Sequence, residues 1–320
     1  MAIIDIKNIK LLNELDSDAR QTNSSLSKKV RLSKKGIEYR ISQLSKKGII
    51  QGYYPVVDFL KLGYSYNRVF IKLQYLDDGI KQLIEEYIRK TDSVNWAVWF
   101  KGDYDLGLAF WTKTATSFKE RLLDFVVIFN NNIQKLHPSQ VLQLEQYSIN
   151  LPNKDHHLIA TMKETSDSDD IDKLDKDILL ELNENARLPS TQIAKNIYSH
   201  YKIVSYRIKR LIKNKILLTT RTKTDNSLLG LIHYKIFAYV SYTNKKDIIK
   251  IKTFISSLQQ CYYIVDHTEV TFIDFEVLVT SVSEFHTLLD NLNNTFPGMI
   301  KEFRYFTFGK TIKINFLPKE

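Results

Sequence analysis

The chain of 320 residues contains a single cysteine, Cys261. One cysteine excludes an internal disulfide and a thiolate metal cluster, and a chain without disulfides suits a reducing compartment. No run of about eighteen apolar residues occurs, so no membrane-spanning helix is predicted. The N-terminal residues from Met1 turn charged at Asp5 and do not form a basic-then-apolar leader. We therefore expect a cytoplasmic protein.

Several catalytic signatures are also missing. The sequence has no Gly-rich phosphate loop, no His-Glu zinc motif and no nucleophile elbow. The adjacent histidines His156 and His157 have no further metal ligand at a usable spacing. We therefore expect no metal, no cofactor and no enzymatic activity.

An internal repeat is the most informative feature that the sequence does have. When the chain is shifted by 167 positions, Ala19-Arg20 falls on Ala186-Arg187, and Tyr39-Arg40-Ile41 falls on Tyr206-Arg207-Ile208. The register needs no gap over about sixty residues, which indicates a duplicated structural unit. Whatever one copy binds, the chain offers two sites for it.

The net charge of +10 is concentrated in the two copies. Residues 1–63 and residues 172–230 each carry 12 basic and 6 acidic side chains, whereas residues 64–171 and 231–320 are nearly neutral. Two compact basic modules are the electrostatic footprint of nucleic-acid binding. Lysine-rich surfaces that serve only solubility are the alternative, and charge alone does not choose between the two.

The first basic module has the pattern of three short helices. Asp5 is placed to cap a helix over about 6–16, and a second helix is expected over about 22–30. After a tight break, Ser33 can cap a third helix that runs to about Lys46. The second module repeats the pattern. Each module is therefore predicted to contain a helix-turn-helix.

The third helix of such a unit can enter the major groove of B-DNA, where its N-terminal and outward side chains reach base edges and phosphates. We expect DNA contacts from Ser33, Lys34, Lys35, Glu38, Tyr39, Arg40 and Gln43 in the first copy, and from Tyr201, Lys202, Ser205, Tyr206, Arg207, Lys209 and Arg210 in the second. The lysines suit phosphate or guanine. Arg40 and Arg207 lie at the boundary of the helix face that is expected to be buried. For these two arginines, bracing of a preceding helix is as good an interpretation as DNA contact.

The two nearly neutral segments alternate strands and helices. The first has predicted strands over 68–74, 94–100, 106–112 and 141–147, with helices over 80–89 and 117–130. The second has predicted strands over 234–241, 262–266 and 274–280, helices over 247–259 and 282–295, and a last strand from Glu302. Each order is βαββαβ, the ferredoxin-like split arrangement.

These residues together resemble the Lrp/AsnC family of transcription regulators. In the first half the resemblance rests on Asp5 to Leu15, Asp18-Ala19-Arg20, Ser33, Tyr39-Arg40-Ile41 and Gly48 to Tyr53. The second half keeps Leu174 to Leu179, Asn185-Ala186-Arg187, Ile193-Ala194 and Arg207 to Leu211. It departs from the pattern at His200, which replaces the Ser33 cap, and at Lys215, which replaces Gly48. Both departures fall at the ends of the second recognition helix.

The resemblance implies a fold and a set of domains. The chain is expected to be α+β, with two winged helix-turn-helix domains alternating with two ferredoxin-like RAM domains. The implied domains are helix-turn-helix units over 1–63 and 171–230, RAM domains over 64–150 and 231–320, and a polar linker over 151–170. RAM domains of this family pair through their sheets, which implies a pseudo-dimer within the chain or a homo-oligomer between chains.

A glycine-aspartate loop is the effector site that the resemblance implies. The run Gly102-Asp103-Tyr104-Asp105 resembles the loop at which many family members bind a small amino-acid-type effector, whereas residues 268–274 contain no glycine. We therefore expect an effector, if one binds, at Gly102, Asp103, Tyr104 and Asp105. A tight hairpin turn with a self-satisfied aspartate is the alternative.

The duplication predicts a pseudo-dimer with its two sheets back to back and both helix-turn-helix units on one side. The recognition helices differ in sequence. The expected partner is therefore double-stranded DNA with a non-palindromic site, whose half-sites lie about one or more helical turns apart. Pairing of like halves between chains is the alternative arrangement.

Two other functions remain open at this point. Siroheme decarboxylases share the two-domain architecture, and some are fused pairs, but the Gly-Phe-Pro type run sought there is replaced by Asp18-Ala19-Arg20 and Asn185-Ala186-Arg187. A ligand sensor that has lost DNA binding is the third class. The basic recognition helices favour a sequence-specific transcription regulator.

Overall fold

The computed structural model describes residues 5–149, 151, 156–164, 170–241 and 244–318. The first half comprises α1 (Ile6–Ser17), α2 (Asn23–Val30), α3 (Lys34–Lys46), β1 (Ile50–Val57), β2 (Ser65–Leu73), α4 (Asp78–Lys90), β3 (Trp96–Gly102), β4 (Leu106–Thr112), α5 (Ala115–Phe129), β5 (Ile133–Tyr147) and β6 (Leu158–Lys163). The second half comprises α6 (Lys173–Glu184), α7 (Ser190–Asn196), α8 (Tyr201–Lys213), β7 (Leu217–Thr224), β8 (Ile232–Val240), α9 (Lys245–Ser257), β9 (Cys261–His267), β10 (Phe272–Val279), α10 (Val282–Thr295) and β11 (Ile300–Ile314).

The repeat extends through both halves of the fold. Adding 167 to the bounds of α1, α3, β1, β2, α4 and β5 gives the bounds of α6, α8, β7, β8, α9 and β11. Each half therefore holds a helix-turn-helix, a following strand and a βαββαβ unit. The predicted α+β class with alternating domains is confirmed.

The helix starts follow from local capping. The Asp5 side chain accepts a hydrogen bond from the Asn8 backbone N–H and opens α1. The Ser33 hydroxyl accepts one from the Gly36 N–H and opens α3. Such caps satisfy backbone donors that the first helical turn leaves free. Both predicted caps are confirmed.

The second recognition helix keeps the same ends despite its two departures from the pattern. His200 Nδ1 accepts from the Lys202 N–H at 3.3 Å and replaces the serine cap. Lys215 takes the left-handed conformation of its counterpart, with φ of 55° against 73° for Gly48. The two ends of the helix therefore keep the backbone conformation of the first copy, although the residues at these positions differ.

The eight central strands form one closed sheet, in the order β2-β4-β3-β11-β8-β10-β9-β5, with β5 also pairing with β2. The two halves join where β3 meets β11 and where β5 meets β9. The predicted back-to-back sheets are thus corrected in one respect, because their edges are hydrogen-bonded to each other. An aromatic cluster that includes Phe70, Tyr104, Phe237 and Phe306 fills part of the interior.

Several element boundaries differ from the sequence prediction. β5 begins at Ile133 instead of residue 141, because the polar stretch before Val141 continues the ladder with β2. β11 begins at Ile300 instead of Glu302. The predicted polar linker contains β6, which pairs with β5 and buries Ala160 and Met162, so this part of the linker belongs to the folded structure. Residues 152–155 and 165–169 of that linker lie outside the described ranges.

Each helix-turn-helix unit packs against the opposite half. The core of the first unit, with Leu11 and Leu12 of α1, includes Leu231 and Leu278 of the second half. The core of the second unit, with Ile178 and Leu179 of α6, includes Trp111 and Met162 of the first half. This exchange joins the four domains through shared cores.

Candidate nucleic-acid interface

The first recognition helix, α3, presents a polar face to solvent. Ile37 and Leu44 are buried, whereas Lys34, Lys35 and Glu38 are exposed. The 66% exposure of Tyr39 leaves its ring free to contact a partner. Ser33 is exposed and Gln43 is partly exposed at the same helix.

The second recognition helix, α8, repeats this division. Val204, Ile208 and Leu211 are buried. The candidate DNA-contacting side chains on its outer face are exposed or partly exposed, namely Tyr201, Lys202, Ser205, Tyr206, Arg207, Lys209 and Arg210. At the break before α8, Tyr198 adopts a left-handed conformation, as Arg31 does before α3.

The arginines among the candidates brace the helices internally. Arg40 Nη1 donates to Asp5 at 2.6 Å and to Asn8 Oδ1 at 2.9 Å, which ties α3 to the start of α1. Arg207 pairs with the corresponding residues Asp172 and Asp175. The bracing alternative is therefore the arrangement found for these two arginines.

Two further candidates are also engaged within the chain. Arg210 pairs with Asp175, which is fully buried at the base of α6. Glu38 Oε1 accepts from Asn23 Nδ2 at 3.1 Å and links α3 to α2. DNA contact by Arg210 and Glu38 stays a prediction beside these internal contacts.

Four lysines keep their charges available. Across the part of the chain that the structure describes, Lys34, Lys35, Lys202 and Lys209 are exposed and make no ion pair. Exposed ammonium groups on a recognition helix attract phosphate and reach base edges. These four lysines therefore stay the predicted phosphate or base contacts of the two recognition helices.

The two wings, β1 and β7, form a two-stranded antiparallel sheet that connects the helix-turn-helix units. Arg20 Nη1 donates to the carbonyls of Ala186 and Leu188 at 2.6 and 2.8 Å. Arg187 Nη1 donates reciprocally to the carbonyls of Ala19 and Gln21. The Ala-Arg pairs are thus structural, and they fix one helix-turn-helix relative to the other.

The glycine-aspartate loop is a tight hairpin between β3 and β4. Asp105 accepts from the Leu73 N–H at 2.8 Å and from Lys72 Nζ at 3.2 Å. Tyr104 is buried, and its hydroxyl lies 2.7 Å from His137 Nδ1. A Cβ at Gly102 would meet the Tyr305 carbonyl oxygen at 2.8 Å. Effector binding by Gly102, Asp103, Tyr104 and Asp105 stays a prediction, beside this self-satisfied turn.

The interior of the closed sheet holds charges that sequence reasoning did not single out. Arg68 Nη2 donates to Asp274 Oδ2 at 2.7 Å, and Lys235 Nζ lies 2.5 Å from Asp274 Oδ1 and 3.0 Å from Glu276 Oε1. Arg68 and Lys235 occupy equivalent positions in the repeat. A basic residue at the same place in the two equivalent strands is the signal that could have found them.

Two further features are absent from the described ranges. No helix there has both the length and the apolar character needed to cross a membrane. No group of three or more His, Cys, Asp or Glu residues there is arranged to hold a metal ion. His156, one of the adjacent histidines, lies 2.9 Å from the Ser256 carbonyl oxygen through Nε2 and stacks on Tyr147.

The chain matches one family model twice. The model is described as winged helix-turn-helix DNA-binding, and it matches residues 4–51 and residues 171–217. These two segments contain the three-helix units built around α3 and α8.

The fold as a whole is similar to that of a solved siroheme decarboxylase, NirDL. The TM-score is 0.61 at 11% identity, over 97% of this chain and 93% of that chain. A complex of NirDL with an iron-uroporphyrin III analogue gives a TM-score of 0.62 at 12% identity. At such identities the likeness concerns the fold alone.

Sequence relatives match about one half of the chain at a time. The chain is 26% identical over 136 residues to the HTH-type transcriptional regulator LrpA of Pyrococcus horikoshii, covering 42% of this chain and 89% of that protein. It is 31% identical over 106 residues to an uncharacterized HTH-type transcriptional regulator of the same organism, covering 32% and 70%. The transcriptional regulator AzlB of Bacillus subtilis is 27% identical over 47% of this chain and 96% of that protein. The chain therefore belongs to the Lrp/AsnC family of regulators, and it carries the family's unit in tandem.

Proposed function

We propose that the chain is a sequence-specific DNA-binding transcription regulator that acts as an intramolecular pseudo-dimer. One observation carries the proposal. The two recognition helices have exposed lysines, and the strands that follow them, β1 and β7, pair in one sheet. The reciprocal contacts of Arg20 and Arg187 hold the two units in a fixed relation. A fixed relation is what a protein needs to read two half-sites on one duplex.

The two recognition surfaces differ, and this sets the kind of site. The first presents Lys34 and Lys35 at the start of α3. The second has Tyr201 and Lys202 at the corresponding positions of α8 and adds Lys209. Different side chains at equivalent positions read different base edges. The preferred DNA site is therefore non-palindromic.

One chain is the functional unit in this proposal. Pairing of β3 with β11 and of β5 with β9 satisfies within the chain the edges through which separate RAM domains would pair. We propose double-stranded DNA as the partner and the cytoplasm as the location. Any larger assembly would use helix faces and not the edges of the closed sheet.

Fluorescence anisotropy with fragments of the upstream region of its own gene tests the proposal. The full chain should prefer one fragment over a scrambled duplex by about a thousandfold, with steep salt dependence. The double variant Lys34→Ala, Lys35→Ala should lower the salt slope by about one unit for each phosphate that the protein no longer neutralises. Lys101→Ala, which changes an exposed lysine on β3, is the matched control. An unchanged slope in the double variant would remove these lysines from the interface.

Tetrapyrrole decarboxylation is the second candidate, because the fold likeness to NirDL extends over nearly the whole chain. Such substrates carry many carboxylates, and they require several free cations. Inside the closed sheet, Arg68 and Lys235 are already paired with Asp274 and Glu276. This pairing favours the regulator. Titration with iron uroporphyrin III, followed by its visible absorbance, separates the two functions, since only the decarboxylase should bind it tightly.

A further inference from the structure

A cavity of about 300 Å³ lies between the interior of the closed sheet and the wings. Both halves line it, through Arg68 on β2 and Lys235 on β8, and both wings contribute, through Val56 on β1 and Lys223 on β7. Its volume is at the lower end of the range for small-molecule sites. It is separate from the glycine-aspartate loop, whose residues do not line it.

Aromatic rings form much of the cavity wall. Tyr66 and Trp111 stack with centroids 4.4 Å apart, and His233 stacks on Phe308 at 3.7 Å. Trp96 also lines the space. Flat aromatic walls of this kind favour a planar ring, which can stack on them or meet their edges.

The charges deep in the cavity balance each other. Arg68 and Lys235 are almost fully buried, and their cations face Asp274 and Glu276. His233 Nε2 lies 2.9 Å from Glu276 Oε2. One donor is left over here, because Arg68 Nε is buried and has no hydrogen-bond partner among the described residues. A buried donor without a partner is costly, and an acceptor atom on a ligand would offset that cost.

Lys223 also lines the cavity, and no carboxylate among the described residues pairs with its ammonium group. It is partly exposed, and within the described residues it makes no ion pair or side-chain hydrogen bond. Burial lowers the pKa of its ammonium, with no opposing charge to restore it. Its counterpart in the first half is Val56, so the feature belongs to one wing alone. An anionic group bound here would provide the missing charge.

We propose that this cavity binds a small aromatic carboxylate, with the ring against the aromatic wall and the carboxylate at Lys223. An acceptor on the ring, such as a phenolic oxygen, would use the free donor of Arg68. The proposal goes beyond DNA binding and does not depend on it. Thr222, Lys223 and Thr224 of β7 line the cavity, so an occupant contacts the sheet that carries both helix-turn-helix units.

Calorimetric titration of the full chain with 4-hydroxyphenylacetate tests the proposal without DNA. The acid should bind saturably, and 4-hydroxyphenylacetamide, which lacks the charge, should bind at least about tenfold more weakly. Lys223→Gln should lose at least about tenfold in affinity for the acid, and Lys223→Arg should keep most of it. Lys101→Gln, on the outer surface of β3, should behave as the unaltered chain does.

Thermal unfolding of each variant shows whether it remains folded, and Lys223→Gln is expected to be as stable as the unaltered chain because Lys223 has no partner to lose. The proposal is overturned if 4-hydroxyphenylacetate does not bind at millimolar concentration, or if a folded Lys223→Gln variant binds it equally well. It is also overturned if the acid and the amide bind alike. Each of these results leaves the DNA-binding proposal intact.

Discussion

The two halves of the chain share a backbone plan but differ in the polar groups placed on it. Two pairs of equivalent positions show this. Asp16 in the first helix-turn-helix corresponds to Asn183 in the second, and Tyr54 in the first wing corresponds to Arg221 in the second. Arg221 donates to Asp16 Oδ1 from Nε and Nη2 at 3.0 and 2.8 Å, with both residues buried. The residues equivalent to this ion pair, Tyr54 and Asn183, are uncharged, and Tyr54 stacks on Phe316. Duplication thus preserved packing while the polar contacts diverged.

The same divergence explains why unlike halves pair. Asp274 and Glu276 of the second half stand where the first half has Gly107 and Ala109. The second half therefore supplies the carboxylates for its own Lys235 and, through Asp274, for Arg68 of the first half. Two first halves would bury their arginines without a carboxylate, which is strongly unfavourable. This charge arrangement favours the pairing of a first half with a second half.

The largest expected effect on stability comes from breaking the buried ion pair between Arg221 and Asp16, which has no charged equivalent at Tyr54 and Asn183. Asp16→Asn should reduce the free energy of unfolding by about 3–5 kcal/mol, because Arg221 would keep a buried charge without its carboxylate. Asn183→Ala at the equivalent position is the control and should cost at most about 1 kcal/mol, since its Oδ1 is buried without a partner. Urea unfolding measures both. Equal losses in the two variants would contradict the comparison.

A smaller, pH-dependent effect separates His267 from its counterpart Phe100. Burial lowers the pKa of His267 to about 4. Between its ordinary pKa and pH 4 the unfolded chain binds a proton that the folded chain does not, so stability falls as the pH is lowered through this window. The loss should reach roughly 3 kcal/mol by pH 4. His267→Phe, which makes the halves alike, should flatten this part of the profile in thermal unfolding between pH 7 and 4. A profile as steep as that of the unaltered chain would exclude His267 as the cause.

The smallest expected effect concerns the ends of the recognition helices. Lys215 holds a left-handed conformation that glycine adopts without a steric penalty. Lys215→Gly should therefore stabilise the chain by about 1 kcal/mol, and Gly48→Lys should destabilise it by a similar amount. Urea unfolding of the two reciprocal variants checks the prediction. Stabilisation by both changes would show that the two ends are not equivalent.

Sequence reasoning succeeded where the determining interactions are local. Helix caps and apolar spacing depend on neighbours within a few residues. The caps at Asp5 and Ser33 and the buried face of α8 are of this kind, so both recognition helices were predictable. The resemblance to Lrp/AsnC regulators supplied the alternation of domains. The role of Arg40 was not decidable, because its partner Asp5 lies on a different helix.

The rest depends on contacts distant in sequence. The pairing of β1 with β7 and the closure of the sheet join residues from opposite halves, and no local pattern specifies them. Strand β6 was missed because its short apolar alternation lies between polar stretches. The cavity was missed for the same reason, since its lining comes from both halves and both wings.

The most direct test of the central claim is the symmetry of the DNA site that one chain selects. Selection from a pool of random duplexes, followed by the mass of the complex in solution, gives the preferred sequence and the number of chains bound. We predict one chain on a non-palindromic site whose half-sites lie about one or more helical turns apart. A palindromic site occupied by two chains, or the absence of any preferred sequence, would contradict a pseudo-dimer that reads DNA with two different recognition helices.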